Sequence, residues 1–500
     1  MQPLSNPQSS MQRYGNGPRA NAAKKRGGGG TATRSKSKST AMMLLTLTLL
    51  VNVTVPKLGY HVGSVPVYAL DILQILFLYF AFKTEPIKLR RKTAKPLYFL
   101  VPIIFFIVLS EFYGTLSQGS PEVSIYTLGQ IIPAILMCVG VARCVRTEDD
   151  IVRLLKVFCI GLIFTGLVAM MVSFAVTRNL VTQYLLTNPL LNSRDSVTAL
   201  FQSADTIRGT SLVGVSNMTG TFLNMMLPTA IVLYRYSGTS AFWRGIVIAS
   251  VLIGIFAVMI TYSRSAYLGF FLVALAVLFM GSFRGKSIII LSGALVSISV
   301  FAIGVDSDNF NFDRLERRMN ATLYDPYADE QESERIDSYL KAGEFIAEQP
   351  SLFALGEGTN SDKRVSSLTD RPDHSVFGRA LFSYGLIASL AYCALMFAAL
   401  STAYGNIRKA RDPRSFLFDF SRSILAGLLA TIPWFLFTHA IISNPRATSF
   451  FFIYLGLVYA VNRMATAEVE RRRSNNRYRM MAQRNNDAFP HQAGPVETRG

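Results

Sequence analysis

The sequence predicts an all-α, polytopic membrane bundle of about twelve spans, and three observations carry that prediction. Half of the 500 residues are hydrophobic and the mean hydropathy is +0.32, which leaves too little polar surface for a soluble fold of this size. Apolar runs of about 17–25 residues recur from Ala41 to Ala460, each long enough to cross a hydrocarbon core as a helix. The basic residues alternate between successive connections, as they do when short loops are sorted by charge.

The expected spans run over residues 41–55, 65–82, 96–112, 125–145, 155–176 and 216–234, then 243–262, 266–283, 287–304, 376–404, 416–437 and 448–461. The N-terminal tail carries Lys24, Lys25, Arg26, Arg34, Lys36 and Lys38, and the 83–95 connection carries Lys83, Lys88, Arg90, Arg91, Lys92 and Lys95. The 405–415 connection and the C-terminal tail, with Arg471 to Arg473, are basic as well. By contrast, 56–64 and 113–124 hold a single lysine, and 305–375 has about twice as many acids as bases. Positive residues stay on the cytoplasmic side, so both termini are expected inside and the 305–375 segment outside.

The chain divides accordingly into a basic tail at 1–40, nine spans over 41–304, an outer loop at 305–375, three spans over 376–462 and a basic tail at 463–500. Both tails are low in complexity and lack the apolar residues to fold, so they are expected to be disordered. A net charge of +19 would suggest nucleic acid in a soluble domain, but these cations flank apolar runs and read as topology signals and contacts for anionic lipid. The four cysteines fall in or beside spans, in no arrangement for a disulfide or a metal cage. The first apolar run begins too far from Met1 for a cleaved leader and reads as a retained span.

In the outer loop, Glu332, Ile336, Leu340, Phe345 and Ile346 recur at helical spacing up to Pro350, with Asp329 as N-cap, so the loop is expected to contain an amphipathic helix. The polar candidates gather on this side. Arg208 precedes span six, Arg264 lies in the tight Tyr262-Ser263-Arg264-Ser265 connection, Arg335 lies in the outer helix, and His374 abuts span ten. Arginine matches phosphate oxygens with a planar fork of donors and stays charged at any relevant pH, so the set suits a phosphate-bearing ligand. Each residue also has a plainer reading: Arg264 as an interfacial anchor, Arg335 as an ion-pair partner of its acidic neighbours, and His374 as an interfacial histidine. An arginine on the outer side runs against the positive-inside bias, which favours the functional reading of Arg264. No two histidines have zinc-ligand spacing. Gly356-Glu357-Gly358 is too short for a nucleotide loop, and no Walker pattern or serine elbow occurs.

Taken in order, these pieces resemble the O-antigen ligase and polymerase superfamily. Arg208-Gly209-Thr210 with Ser216-Asn217 and Leu227-Pro228 is similar to one family stretch, with Val215-Ser216 departing from its usual proline. Ser263-Arg264-Ser265 is similar to the arginine that opens a span in the family, and Arg335 through Pro350 to Gly356-Glu357-Gly358 is similar to its large loop, with Tyr339 where tryptophan is common. His374-Ser375 followed by Phe382 to Ile387 resembles the histidine motif, with serine for asparagine and Ser383 or Tyr384 near the usual acid.

The resemblance covers about 208–400 and implies a GT-C-type glycosyltransferase of the bacterial inner membrane, with the large loop periplasmic. It further implies a polyprenyl-diphosphate-linked glycan as donor and a glycan or lipid A-core as acceptor, with no metal or other cofactor. Contacts with other polysaccharide-assembly proteins are expected partners, together with membrane lipids. Arg264, Arg335 and His374 would be the catalytic set, with Arg208 a further diphosphate contact. The rival readings are a secondary transporter or a lipid-linked sugar flippase. A transporter would show two repeated halves and charges near the midplane, neither of which stands out in the sequence apart from the edge positions Asp71 and Glu111.

Overall fold

The computed structural model describes residues 28–55, 59–62, 65–84, 95–118, 121–173, 211, 216–261, 263–280, 347, 350–356, 358, 375–410, 412, 413, 415–438 and 440–488. Its helices are α1 (Gly28–Thr54), α2 (Ala69–Lys83), α3 (Leu100–Gln118, led by a 3₁₀ turn at Lys95–Phe99), α4 (Pro121–Cys144) and α5 (Glu148–Ser173). They continue as α6 (Ser216–Arg235), α7 (Ala241–Ile260), α8 (Arg264–Met280), α9 (Pro350–Leu355), α10 (Val376–Ala410), α11 (Phe416–Leu429), α12 (Thr431–Phe437), α13 (Ala440–Ser443) and α14 (Pro445–Ala488). The protein is an all-α polytopic membrane bundle, with one short hairpin among the described residues, β1 (Gly59–Val62) against β2 (Val65–Tyr68).

Among the described residues, seven stretches are long and apolar enough to cross a bilayer, at 97–116, 127–144, 148–173, 241–260, 376–410, 416–436 and 445–481, and two shorter apolar helices occupy 38–54 and 264–279. The expected ninth span, 287–304, lies outside the described residues. The expected sixth span, α6, is not among the seven, and its surroundings explain why. It is buried on nearly every side and carries Thr219, Thr221, Asn224 and Thr229 within the bundle. A helix that does not touch lipid has no need of an apolar exterior, and small or polar residues let its neighbours approach. Its Gly220 accepts Ala266 of α8 in direct contact, and Asn224 Nδ2 donates to the Ala266 carbonyl at 2.7 Å.

The second span starts later than expected. Val65 to Tyr68 form a strand, with Gly59 opposite Tyr68 and Val62 opposite Val65, because β-branched residues alternate there and Gly63-Ser64 separates the two runs. Asp71 then starts the helix: its carboxylate accepts from the Tyr68 backbone N–H at 3.2 Å, reaching back as the third helical residue. Span eleven is broken at Ala430, just before Pro433, with Thr431 Oγ1 donating to the Leu428 carbonyl at 2.7 Å.

The tails also differ from expectation. Helix α1 begins at Gly28, and α14 continues to Ala488 although residues 470–481 are exposed. That extension buries no core, as its composition requires. It is helical because a span has already nucleated the turns, and propagation needs no new nucleus.

The two ends of the bundle differ in charge. At one end Lys38 pairs with Asp150 at 3.2 Å, Arg235 pairs with Asp419 at 2.7 Å, and Arg143 donates to the Thr84 carbonyl at 3.0 Å. Arg463 Nη1 donates to the Ala142 carbonyl at 2.5 Å and its Nη2 to the Val145 carbonyl, capping the end of α4. Arg463→Met would leave those carbonyls without a donor, and it is expected to cost about 1–3 kcal/mol in thermal unfolding of the purified protein. The opposite end gathers the starts of α2, α4, α6, α8, α10 and α14, and the candidate chemistry lies there.

Candidate functional site

Two patches at that end hold the described parts of the candidate site. The first is built on α6. Ser211, three residues after Arg208, donates its N–H to Thr219 Oγ1 at 3.1 Å, and the two hydroxyl oxygens stand 2.9 Å apart. The next residue, Gly220, receives Ala266, two residues after Arg264. The start of α6 thus docks both Ser211 and the start of α8.

Arg264 is the first residue of α8 and is half-buried. The connection holding it is braced from both sides. Ser263 N–H donates to Thr261 Oγ1 at 3.4 Å, Ser263 and Ser265 hydroxyls are 3.1 Å apart, and Tyr267 OH reaches back to the Met259 carbonyl at 2.6 Å. A guanidinium at the amino end of a long helix adds its charge to the unpaired N–H groups and the positive end of the helix dipole, an arrangement suited to an anion.

The second patch is a seat formed by α3, α9 and α10. The chain breaks helical geometry at Gly385, whose φ is 81° and ψ 174°, a region open in practice only to glycine. Into that break comes the turn after α9, with Gly356 at φ 73° and Gly358 at φ 76°. Gly358 N–H donates to the Ser383 carbonyl at 2.9 Å, and Ser110 Oγ of α3 donates to the Leu355 carbonyl. A Cβ on Gly356 would stand 2.5 Å from the Ser383 carbonyl, and one on Gly358 would stand 3.3 Å from Glu111 Oε2. The glycines of this segment therefore serve close backbone packing, and the buried Glu111 carboxylate lies against them. Next to His374, Ser375 caps α10: its Oγ accepts from Gly378 N–H at 2.9 Å, and its carbonyl accepts from Arg379 N–H at 2.9 Å.

His374, Arg335 and Arg208 themselves lie outside the described residues, as does the expected outer helix through Ile346. Among the described residues at this end, Arg379 in the first turn of α10 and Arg446 at the start of α14 were not singled out from the sequence, and Glu111, now in the seat, was read only as an edge charge; all three are buried. The signal applied to Arg264, a cation against the charge bias, was present for Arg379 and Arg446 as well.

Residues 249–393 match the family model described as O-antigen ligase. The match runs from within α7 through α8 and α9 to the first half of α10, so it includes Arg264, Arg335 and His374 and excludes α1 to α6. A comparison with curated proteins found no match.

Proposed function

We propose, from the chain's place in the O-antigen ligase and polymerase superfamily through residues 249–393, that it transfers a glycan from a polyprenyl diphosphate to an acceptor hydroxyl. The observation that carries the reading is Arg264, fixed at the amino end of α8 within the matched region and braced on a buried helix. In this reading the reaction takes place at the less basic end of the bundle, on the periplasmic side of the inner membrane with both termini in the cytoplasm, and the retention of cations on the cytoplasmic side supports it.

The acceptor oxygen attacks the anomeric carbon of the donor sugar, the bond from that carbon to the diphosphate oxygen breaks, and the polyprenyl diphosphate leaves with the bonding electrons. Negative charge grows on the diphosphate as the bond lengthens, and Arg264, Arg335 and Arg208 meet it with fixed positive charge. His374 either takes the proton of the acceptor hydroxyl or orients the diphosphate. The arginines supply the charge that a metal supplies elsewhere, so transfer is expected to persist in the presence of EDTA, measured as donor consumed by purified protein.

Among possible acceptors, a growing repeat-unit chain is favoured slightly over lipid A-core. The test is the lipid-linked and surface glycan profile of cells lacking the chain, complemented with wild type or His374→Ala. Single lipid-linked units without long chains, unrescued by the variant, are expected of a polymerase. Long lipid-linked chains that never reach lipid A-core would make it a ligase. An unchanged profile would overturn the transferase reading.

A further inference from the structure

The first turn of α10, which follows His374 in the chain, does not belong to a continuous helix. Ser389 Oγ donates to the Phe377 carbonyl at 3.1 Å although twelve residues lie between them in register, a spacing that an unbroken helix would stretch to about 18 Å. Residues 376–384 are therefore folded back at Gly385 against the span that follows, and all of them except Phe377 are buried. A half-helix beyond such a break is placed by the groups around it and not by helical continuity.

Its charge must also be answered. Arg379 is buried in that first turn, where the positive end of the helix dipole adds to its own charge, and a cation inside a membrane bundle needs an anion close by. Among the described residues at this end, the buried carboxylates are Asp71 and Glu111, and the buried arginines are Arg379 and Arg446. Asp71 of α2 lies within electrostatic reach of Arg446 of α14, which leaves Glu111 of α3 for Arg379.

The positions agree with that pairing. Helix α3 packs along α10, and Gly358 ties the two together. Its N–H donates to the Ser383 carbonyl at 2.9 Å, and a Cβ on it would stand 3.3 Å from Glu111 Oε2. Ser383 in turn lies four residues after Arg379, one turn along the same face of the half-helix. An acid at 383 would thus reach Arg379 from within the half-helix, and the serine found there cannot answer the charge.

We propose that Glu111 supplies that acid from α3. It is the counter-charge of Arg379 and, through Arg379, a positioning residue that fixes the first turn of α10 for transfer. The positioning role rests on the transferase reading, whereas the charge pairing does not.

The test moves the acid from one helix to the other, in purified full-length protein supplied with lipid-linked glycan extracted from cells lacking the chain. Glu111→Gln leaves Arg379 buried without its counter-charge, so it is expected to lower the melting temperature. It is also expected to reduce donor turnover by about 10–10²-fold with a smaller change in KM, as displacement of a reacting group does. Ser383→Glu alone sets two carboxylates about one arginine and is expected to lower both values too. Combined, Glu111→Gln with Ser383→Glu is expected to exceed either single variant in melting temperature and in turnover. Because glutamate at 383 adds volume to a packed place, Glu111→Gln with Arg379→Gln provides a second pair. Removing both charges is expected to give a protein that melts above either single variant. Additive losses in both pairs would overturn the proposal. A swap that recovers the melting temperature without turnover would reduce Glu111 to a structural ion-pair partner and overturn its positioning role. Wild-type protein that consumes no donor would remove the transferase reading, and the melting temperatures would still decide the pairing.

Discussion

Arg264→Ala is expected to lower donor consumption by about 10²–10³-fold while leaving the protein at normal levels in the membrane. The size follows from where the charge acts. A guanidinium that meets developing charge in a site screened from bulk water stabilises the transition state more than the bound donor, so the loss falls on turnover more than on KM. The structural cost is small by comparison. The side chain is half-buried at a helix start, and Ser263, Ser265 and Tyr267 brace the connection with hydrogen bonds of their own. Arg264→Lys is the informative partner. It keeps the charge and loses the planar fork, so it is expected to recover part of the rate, and full recovery would show that a point charge suffices. A variant that turned over normally with alanine at this position would reduce Arg264 to an interfacial anchor.

Gly385→Ala is expected to be as damaging for a different reason. A side chain at φ 81° and ψ 174° is strained by about 1–3 kcal/mol, and the added Cβ would also collide with the Ala354 carbonyl of α9. Overpacking against backbone, which cannot swing aside, adds a further cost of about 1–3 kcal/mol. The expected result is a lowered melting temperature together with reduced transfer, because the collision pushes α9 and the Gly356 to Gly358 turn out of their seat. Gly405→Ala in the same helix is the control. Nothing lies within 4 Å of a Cβ there, so that change is expected to be neutral or stabilising by up to about 1 kcal/mol. Equal melting temperatures for the two variants would mean that the break in α10 is not fixed by packing.

Much of the architecture was legible along the chain. Eleven of the expected spans overlap described helices, and the arginine in the tight connection after Thr261 stands at the start of α8. Elsewhere a tertiary contact decided. The polar residues of α6 weaken its hydropathy, yet they mark a helix enclosed by other helices. Gly385 reads as an ordinary glycine in an apolar run until α9 is seen packed into the break beside it. Asp71 and Glu111 look like strays at span edges, but one faces Gln130 and Arg446 and the other backs the Gly358 turn.

The sequence by itself determined the membrane class, the approximate spans and their charge asymmetry, because a bilayer imposes a one-dimensional rule: an apolar run must be long enough, and cations stay on one side. Only the tertiary structure decided which polar groups meet. Asn52 and Arg446 are joined by a hydrogen bond across nearly the whole chain, and Ser110 reaches Leu355 across the intervening spans. Such pairings depend on which helix faces stand together, and hydropathy along a single span carries no information about its neighbours.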